Sequence, residues 1–146
     1  MLAQIADMLM ARGWDVNQDE DLVTGFVLEF DHVEHRFPLY VMSLEVGNTK
    51  LIRFVVVPFV EQSFDGYPTA LYITLAQLNH DLPQLKFAID ADGDLELIFD
   101  IPEAQWTETV LDEVLDLLVD YTTTYFSEIN TIVERNHTSG AESLPK

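Results

Sequence analysis

The stretch from Glu103 to Glu134 constrains this chain more than any other. Pro102 suits the first position of a helix, where a missing N–H costs nothing. Glu103 suits the positive end of the helix dipole. Apolar residues then recur at three and four: Trp106, Val110, Val114, Leu117, Tyr121, Tyr125, Ile129 and Ile132. That spacing is helical. Leu111, Leu115, Leu118, Phe126 and Val133 form a second row beside the first. At about 100° per residue the two rows cover roughly 200° of arc, whereas a helix with one buried side needs little over ~100°. The spacing therefore predicts a helix with a sheet on one side and a second cover on the other. That cover is another helix, a second copy of the chain, or a client protein. Leu111, Leu115, Leu118 and Phe126 are the candidate partner or dimer surface.

The back of this helix carries Glu108, Asp112, Asp116 and Asp120, each four residues from the next. Like charges so spaced repel by roughly 0.2–0.5 kcal/mol per pair. No Lys or Arg occurs between Phe87 and Glu134 to relieve them. The stripe reads either as a solvated face kept soluble by charge or as a surface that attracts basic partners.

With 146 residues and 48% hydrophobic content, the chain can bury a core of its own. One domain is expected over residues 1–134, with a flexible polar tail over 135–146. A net charge of −19 argues against nucleic acid and against anionic membranes, which need a positive footprint. The amino terminus lacks the basic lead of a signal peptide, and no apolar run approaches ~20 residues. With no Cys in the chain, a cytoplasmic location is expected.

Taken in order, Leu2, Ile5, Ala6 and Leu9 predict a short helix that stops at Gly13. Trp14–Asp21 reads as an acidic connection. Strands are predicted over Leu22–Phe30, Phe37–Val46 and Lys50–Val60, with Gly47-Asn48 as the tight turn between the last two. The third is almost continuously apolar, as in a strand covered on both faces or lying centrally. In Phe37–Val46 the alternation runs through Tyr40, Met42, Leu44 and Val46. Pro58, which cannot donate to a ladder, marks the third strand's end or a bulge. After a loop over Glu61–Tyr67, Pro68 opens a second helix, closed by Asn79, His80 and Pro83. Gln84–Ala91 and Asp94–Ile101 alternate on either side of Asp92-Gly93, a strong hairpin signal. The fold class is α+β: a five-stranded antiparallel sheet with helices mainly on one face, in the order α-βββ-α-ββ-α.

Sites with chemistry are not evident. His32 and His35 are three apart in the link between two strands, where the zinc-protease helix needs two His four apart. Asp90, Asp92 and Asp94 surround Gly93, but a calcium loop places its Gly at about the sixth position and a Glu at about the twelfth. A hairpin turn accounts for the segment without an ion. No Gly-rich phosphate loop and no Gly-x-Ser-x-Gly elbow occurs, and there is no thiol. No catalytic, cofactor-binding or metal residue is assigned.

Leu78-Asn79, then Leu85-Lys86-Phe87-Ala88-Ile89-Asp90, then Asp92-Gly93-Asp94-Leu95 and Ile101-Pro102 resemble the YbjN family, over most of residues 1–134. That family is described as bacterial sensory-transduction regulators. The element order also resembles the type III secretion chaperone-like fold. The resemblance implies a small acidic homodimer that holds a partner's polypeptide without catalysis. It carries over no catalytic residue.

The resulting expectation is a non-enzymatic, homodimeric protein-binding or regulatory module with an unidentified protein client. The alternative is a small-molecule sensor or enzyme with a pocket between sheet and helix. A third reading is a domain that senses charge or a cation through its acidic face.

Overall fold

The computed structural model describes residues 1–61 and 66–135, together with the course of the last helix to residue 143. The expected loop over Glu61–Tyr67 falls partly outside the described residues. The expected tail, 135–146, begins inside the last helix, whose course runs to Ser143; beyond Arg135 only that course is described.

The elements are α1 (Leu2–Ala11), β1 (Asn17–Gln18), β2 (Leu22–Phe30), β3 (Val33–Val46), β4 (Thr49–Val56), α2 (Thr69–Asp81), β5 (Lys86–Ile89), β6 (Leu95–Pro102) and α3 (Glu108–Ser143). The sheet is antiparallel, in the order β1-β2-β3-β4-β6-β5. The α+β class and the element order are as predicted, with a sixth strand added. That strand is the two-residue β1, inside the expected connection, where Asn17 pairs with Val23 and Gln18 with Leu22. Two polar residues carry no alternation, so nothing in their sequence announces a strand.

Local chemistry explains most boundaries. Gly13, at φ 86°, lets the chain leave α1. Gly47, at φ 62°, turns β3 into β4. The β2–β3 turn is tighter than expected. Asp31 and His32 both adopt left-handed backbone, at φ 52° and 66°, which makes a two-residue hairpin turn. Strand β3 therefore starts at Val33 rather than Phe37, and His35 becomes a strand residue.

The last helix also starts later than predicted. Pro102 ends β6, Glu103–Gln105 forms a single 3-10 turn, and Trp106 is extended at ψ 132°. The Trp106 ring stacks on Phe54 at 5.9 Å. Helix α3 begins after Thr107, whose Oγ1 accepts a hydrogen bond from Val110 N–H at 3.4 Å, the N-cap role for which Thr is suited.

All three helices pack on one face of the sheet. Ile5, Ala6 and Leu9 of α1, Leu71 and Leu75 of α2, and the apolar row of α3 share one core with Phe37, Leu39, Ile52, Phe54 and Leu97. Phe126 sits among aromatic rings, 4.7 Å from Phe30, 5.2 Å from Phe37 and 6.1 Å from Phe59. Each such pair adds about 0.5–1.5 kcal/mol beyond the area it buries. Buried Tyr67 ties the second helix's approach to the sheet: its hydroxyl donates to Val60 O at 2.7 Å and accepts from Leu95 N–H at 3.0 Å.

The burial of α3 corrects one expectation directly. Leu111, Leu115, Leu118 and Phe126 are 0%, 6%, 0% and 4% exposed, enclosed within the single subunit. They are core and not a partner surface. The wide arc is used inside the subunit because α3 lies on the sheet with α2 against one flank, and with Arg12 and Trp14, just past α1, against the other. Of the other row, Val114 and Ile129 are buried as well, and Trp106, Val110, Leu117, Tyr121, Tyr125 and Ile132 are half-buried at the shoulder.

Candidate functional site

A strand residue points to one face of its sheet and its neighbour points to the other. With Phe37, Leu39, Val41, Ile52, Phe54 and Val56 directed at the helices, the intervening residues form a second face. No described helix contributes to it. The pairing register lays it out in rows: Val23, Tyr40, Val55, Ile98 and Lys86 in one, Met42, Arg53 and Asp100 in the next, Leu44, Leu51 and Pro102 in a third. Tyr40, Met42, Leu44 and Leu51 are half-buried, and Val27 and Val46 at the ends are exposed.

Val55 and Ile98 are 2% and 3% exposed, yet neither belongs to the core cluster. On a face without a covering element, neighbours on the same face must shield them. Arg53 and Asp100 are directly opposite across the ladder and form a two-pronged ion pair at 2.7 and 2.8 Å. Such forked geometry is the strong form of this contact. Burial pushes the Glu96 carboxyl above its ordinary range, and Asp90 pushes the same way, while Arg53 and Lys86 pull it back. The face is therefore an apolar band crossed by one held ion pair, Arg53 to Asp100, with further charges at its margins.

This face was legible in part. The continuous apolarity of Lys50–Val60 implies cover on both faces or a central position; β4 is central in the sheet, and helices cover one of its faces. In β3 the row Tyr40, Met42, Leu44 and Val46 turns away from the helices, and Phe37, Leu39 and Val41 turn toward them. A strand apolar in both phases is the signal that a second surface is present.

The remaining candidates resolve differently. Glu108, Asp112, Asp116 and Asp120 are all exposed on α3. Relief comes from far away in the chain: the Arg12 guanidinium bonds both carboxylate oxygens of Asp112, at 2.6 and 3.0 Å, and lies 3.8 Å from Glu108. The hydrogen bond from Arg12 holds the Asp112 carboxyl below its ordinary range. His32 is fully exposed in the hairpin turn, 3.7 Å from Glu29. His35 lies against Phe30 and Phe126, so the two His do not converge. Asp90 accepts hydrogen bonds from the amides of Asp92 and Asp94, both at 2.9 Å, which occupies its carboxylate in shaping the turn. Among the described residues no three metal-ligating side chains come together.

A groove of about 690 Å3 lies outside β2, lined by Arg12, Trp14, Asn17, Thr24, Phe26 and Arg36 among others. It is open, it does not lie between the sheet and α3, and buried polar groups do not converge on it. Thr122, buried in α3, spends its hydroxyl on Leu118 O at 2.7 Å. Among the described residues no helix is long and apolar enough to cross a membrane.

Comparison with known proteins adds the family and the fold. A family model described as "Putative bacterial sensory transduction regulator" matches residues 2–131. No curated protein matches the chain. Among solved structures, a chain of the ExsC–ExsE complex is similar with a TM-score of 0.55 at 18% identity, covering 91% of this chain and 96% of that one. A chain of the HopA1–SchA chaperone–effector complex gives 0.54 at 12% identity, covering 83% and 88%. A chain from the complex of the Yersinia pestis type III secretion chaperone SycH with a stable YscM2 fragment gives 0.51 at 15%, covering 84% and 97%. At these identities the likeness establishes the fold, which is that of type III secretion chaperones.

Proposed function

The chain belongs to the YbjN family, and from that premise we propose that it is a protein-binding module, chaperone-like and homodimeric, without catalysis of its own. One observation carries the reading: a whole sheet face bears an apolar band that no described element of the chain covers. Apolar residues grouped on one face, half-buried at Tyr40, Met42, Leu44 and Leu51 and exposed at Val27 and Val46, mark interaction sites in soluble proteins. The likeness to chains solved in a chaperone–effector complex and in the complex of a type III secretion chaperone with a fragment of another protein points the same way. Nothing favours a small-molecule pocket, because the polar groups a ligand would need are spread over turns and helix backs.

The reading is tested by placing a photo-crosslinking residue at Met42 in cells that contain the protein, with the same residue at Asp120 as control. Polypeptide adducts, of this chain or another, are expected at position 42 in excess over position 120. Their absence at position 42 removes the docking face.

A further inference from the structure

We infer that covering the open sheet face is coupled to proton uptake by Glu96, so that the face holds an apolar polypeptide surface more tightly in mildly acidic than in neutral solution. The inference rests on the reading of that face as a docking surface and adds to it a mode of regulation.

Position carries it. Glu96 lies on β6 in the phase of Ile98 and Asp100, which turns it away from the helices. Ala88 is directly across the ladder on β5. Ile98, the next residue on the same side of β6, is 3% exposed, and Val55 opposite it is 2% exposed. Among these apolar groups the Glu96 side chain is half-buried. Among the described residues no group hydrogen-bonds its carboxylate and no base forms an ion pair with it.

The charges around it do not hold it ionised once water leaves. On β4, Arg53 spends both prongs on Asp100. On β5, Lys86 is exposed and lies across from Ile98, one diagonal away. At the β5–β6 turn, the Asp90 carboxylate is fixed by the amides of Asp92 and Asp94. Asp90 and Asp100 disfavour a further negative charge, while Arg53 and Lys86 favour it. Asp94 acts on Tyr67 instead. No described helix reaches this face. A partner that lays apolar side chains over Ala88, Ile98 and Val55 strips the remaining water from Glu96. Burying an unpaired carboxylate costs more than protonating it, so docking binds a proton.

Charge sets the chemistry of the occupant. A basic segment could pair with Glu96 and take up no proton. Such a segment is drawn to the exposed stripe of Glu108, Asp112, Asp116 and Asp120 on α3, and Arg36 and Lys86 repel it here. The covered state has the higher Glu96 pKa. The added affinity is fully present below the pKa of the uncovered group and is lost as pH rises through the covered value, by at most about tenfold per pH unit for one proton.

The test titrates the intact chain with Nile red, a neutral dye that fluoresces on apolar surface, at pH 7.5 and 5.5, with circular dichroism native at both. The wild type should bind the dye several-fold more tightly at pH 5.5. Glu96→Gln should bind it at pH 7.5 as tightly as the wild type does at pH 5.5, with little change between the two. Asp120→Asn, on the helical side, should keep the wild-type profile, and Met42→Glu should weaken uptake at both pH values because it lies on the sheet face. A wild-type affinity that ignores pH overturns the coupling. So does a pH dependence that survives Glu96→Gln or vanishes with Asp120→Asn, or uptake indifferent to Met42→Glu. No dye uptake at either pH overturns it too; polypeptide adducts at position 42 would then leave the docking face standing, and their absence would sink both.

Discussion

At the scale of single residues, Glu96 is the most informative charge. It sits on the open face between Ala88 on β5 and the end of β4. Partial burial and the nearby Asp90 raise its folded pKa, with Arg53 and Lys86 opposing and Asp100 adding to the rise. A carboxyl whose pKa is raised on folding favours the folded state only while it is protonated. That contribution is fully present below the ordinary Glu range and is lost as pH rises through the raised value. At neutral pH the ionised group therefore costs stability, and Glu96→Gln should raise the melting temperature. The gap between variant and wild type should close as pH falls toward ~4.5. A gap that stays constant from neutral to acid pH would show that the gain has nothing to do with ionisation.

At the scale of elements, the edges of the sheet are handled unequally. Strand β5 is a short edge strand, and Asn79 of α2 closes it. Its Nδ2 donates to Phe87 O at 2.8 Å, and its Oδ1 accepts from Phe87 N–H at 2.7 Å. One side chain thus replaces the next strand of the ladder, and a bare edge that invites pairing is avoided. Asn79→Ala should cost about 1–2 kcal/mol in urea unfolding, because both backbone groups lose their partner beside partly buried structure. Asn79→Asp should cost more at neutral pH, since a carboxylate cannot donate to Phe87 O. Amide exchange at Phe87 should quicken in both variants, and unchanged exchange would show that the edge is protected by something else. Asn79 was read in sequence as part of the helix's end, whereas α2 runs on to Asp81, and its role was not visible, because the partner strand begins seven residues later. The same limit applies across the fold. Helix α1, the Gly47-Asn48 and Asp92-Gly93 turns and the strand phases were legible because each depends on neighbours in sequence. The inward row of α3 was not. Periodicity defines a 200° stripe but not which half of it meets the sheet. That choice is made by α2 and by the chain end of α1, through contacts such as Arg12 to Asp112 that span the whole chain. The open face was half legible, as a strand with apolar residues in both phases.

At the scale of the whole molecule, the dominant force outside the core is self-repulsion. Against 26 acids stand seven bases, and among the described residues only Arg12 and Arg53 form close ion pairs with carboxylates. Exposed pairs contribute about 0–1 kcal/mol each and weaken with salt. The repulsion among the acids of α3 and its surroundings is also screened, over a distance of about 10 Å at 0.1 M. The two effects have opposite signs, and the count of acids decides which wins. Raising NaCl from 20 to 500 mM should therefore raise the melting temperature, by about 1–2 kcal/mol of stability or several degrees for a chain of this size. The measurement belongs at protein concentrations low enough that melting no longer depends on concentration, since self-association adds its own stabilisation by mass action. Under those conditions a melting temperature that falls with salt would mean that the two arginine clasps outweigh the acidic field.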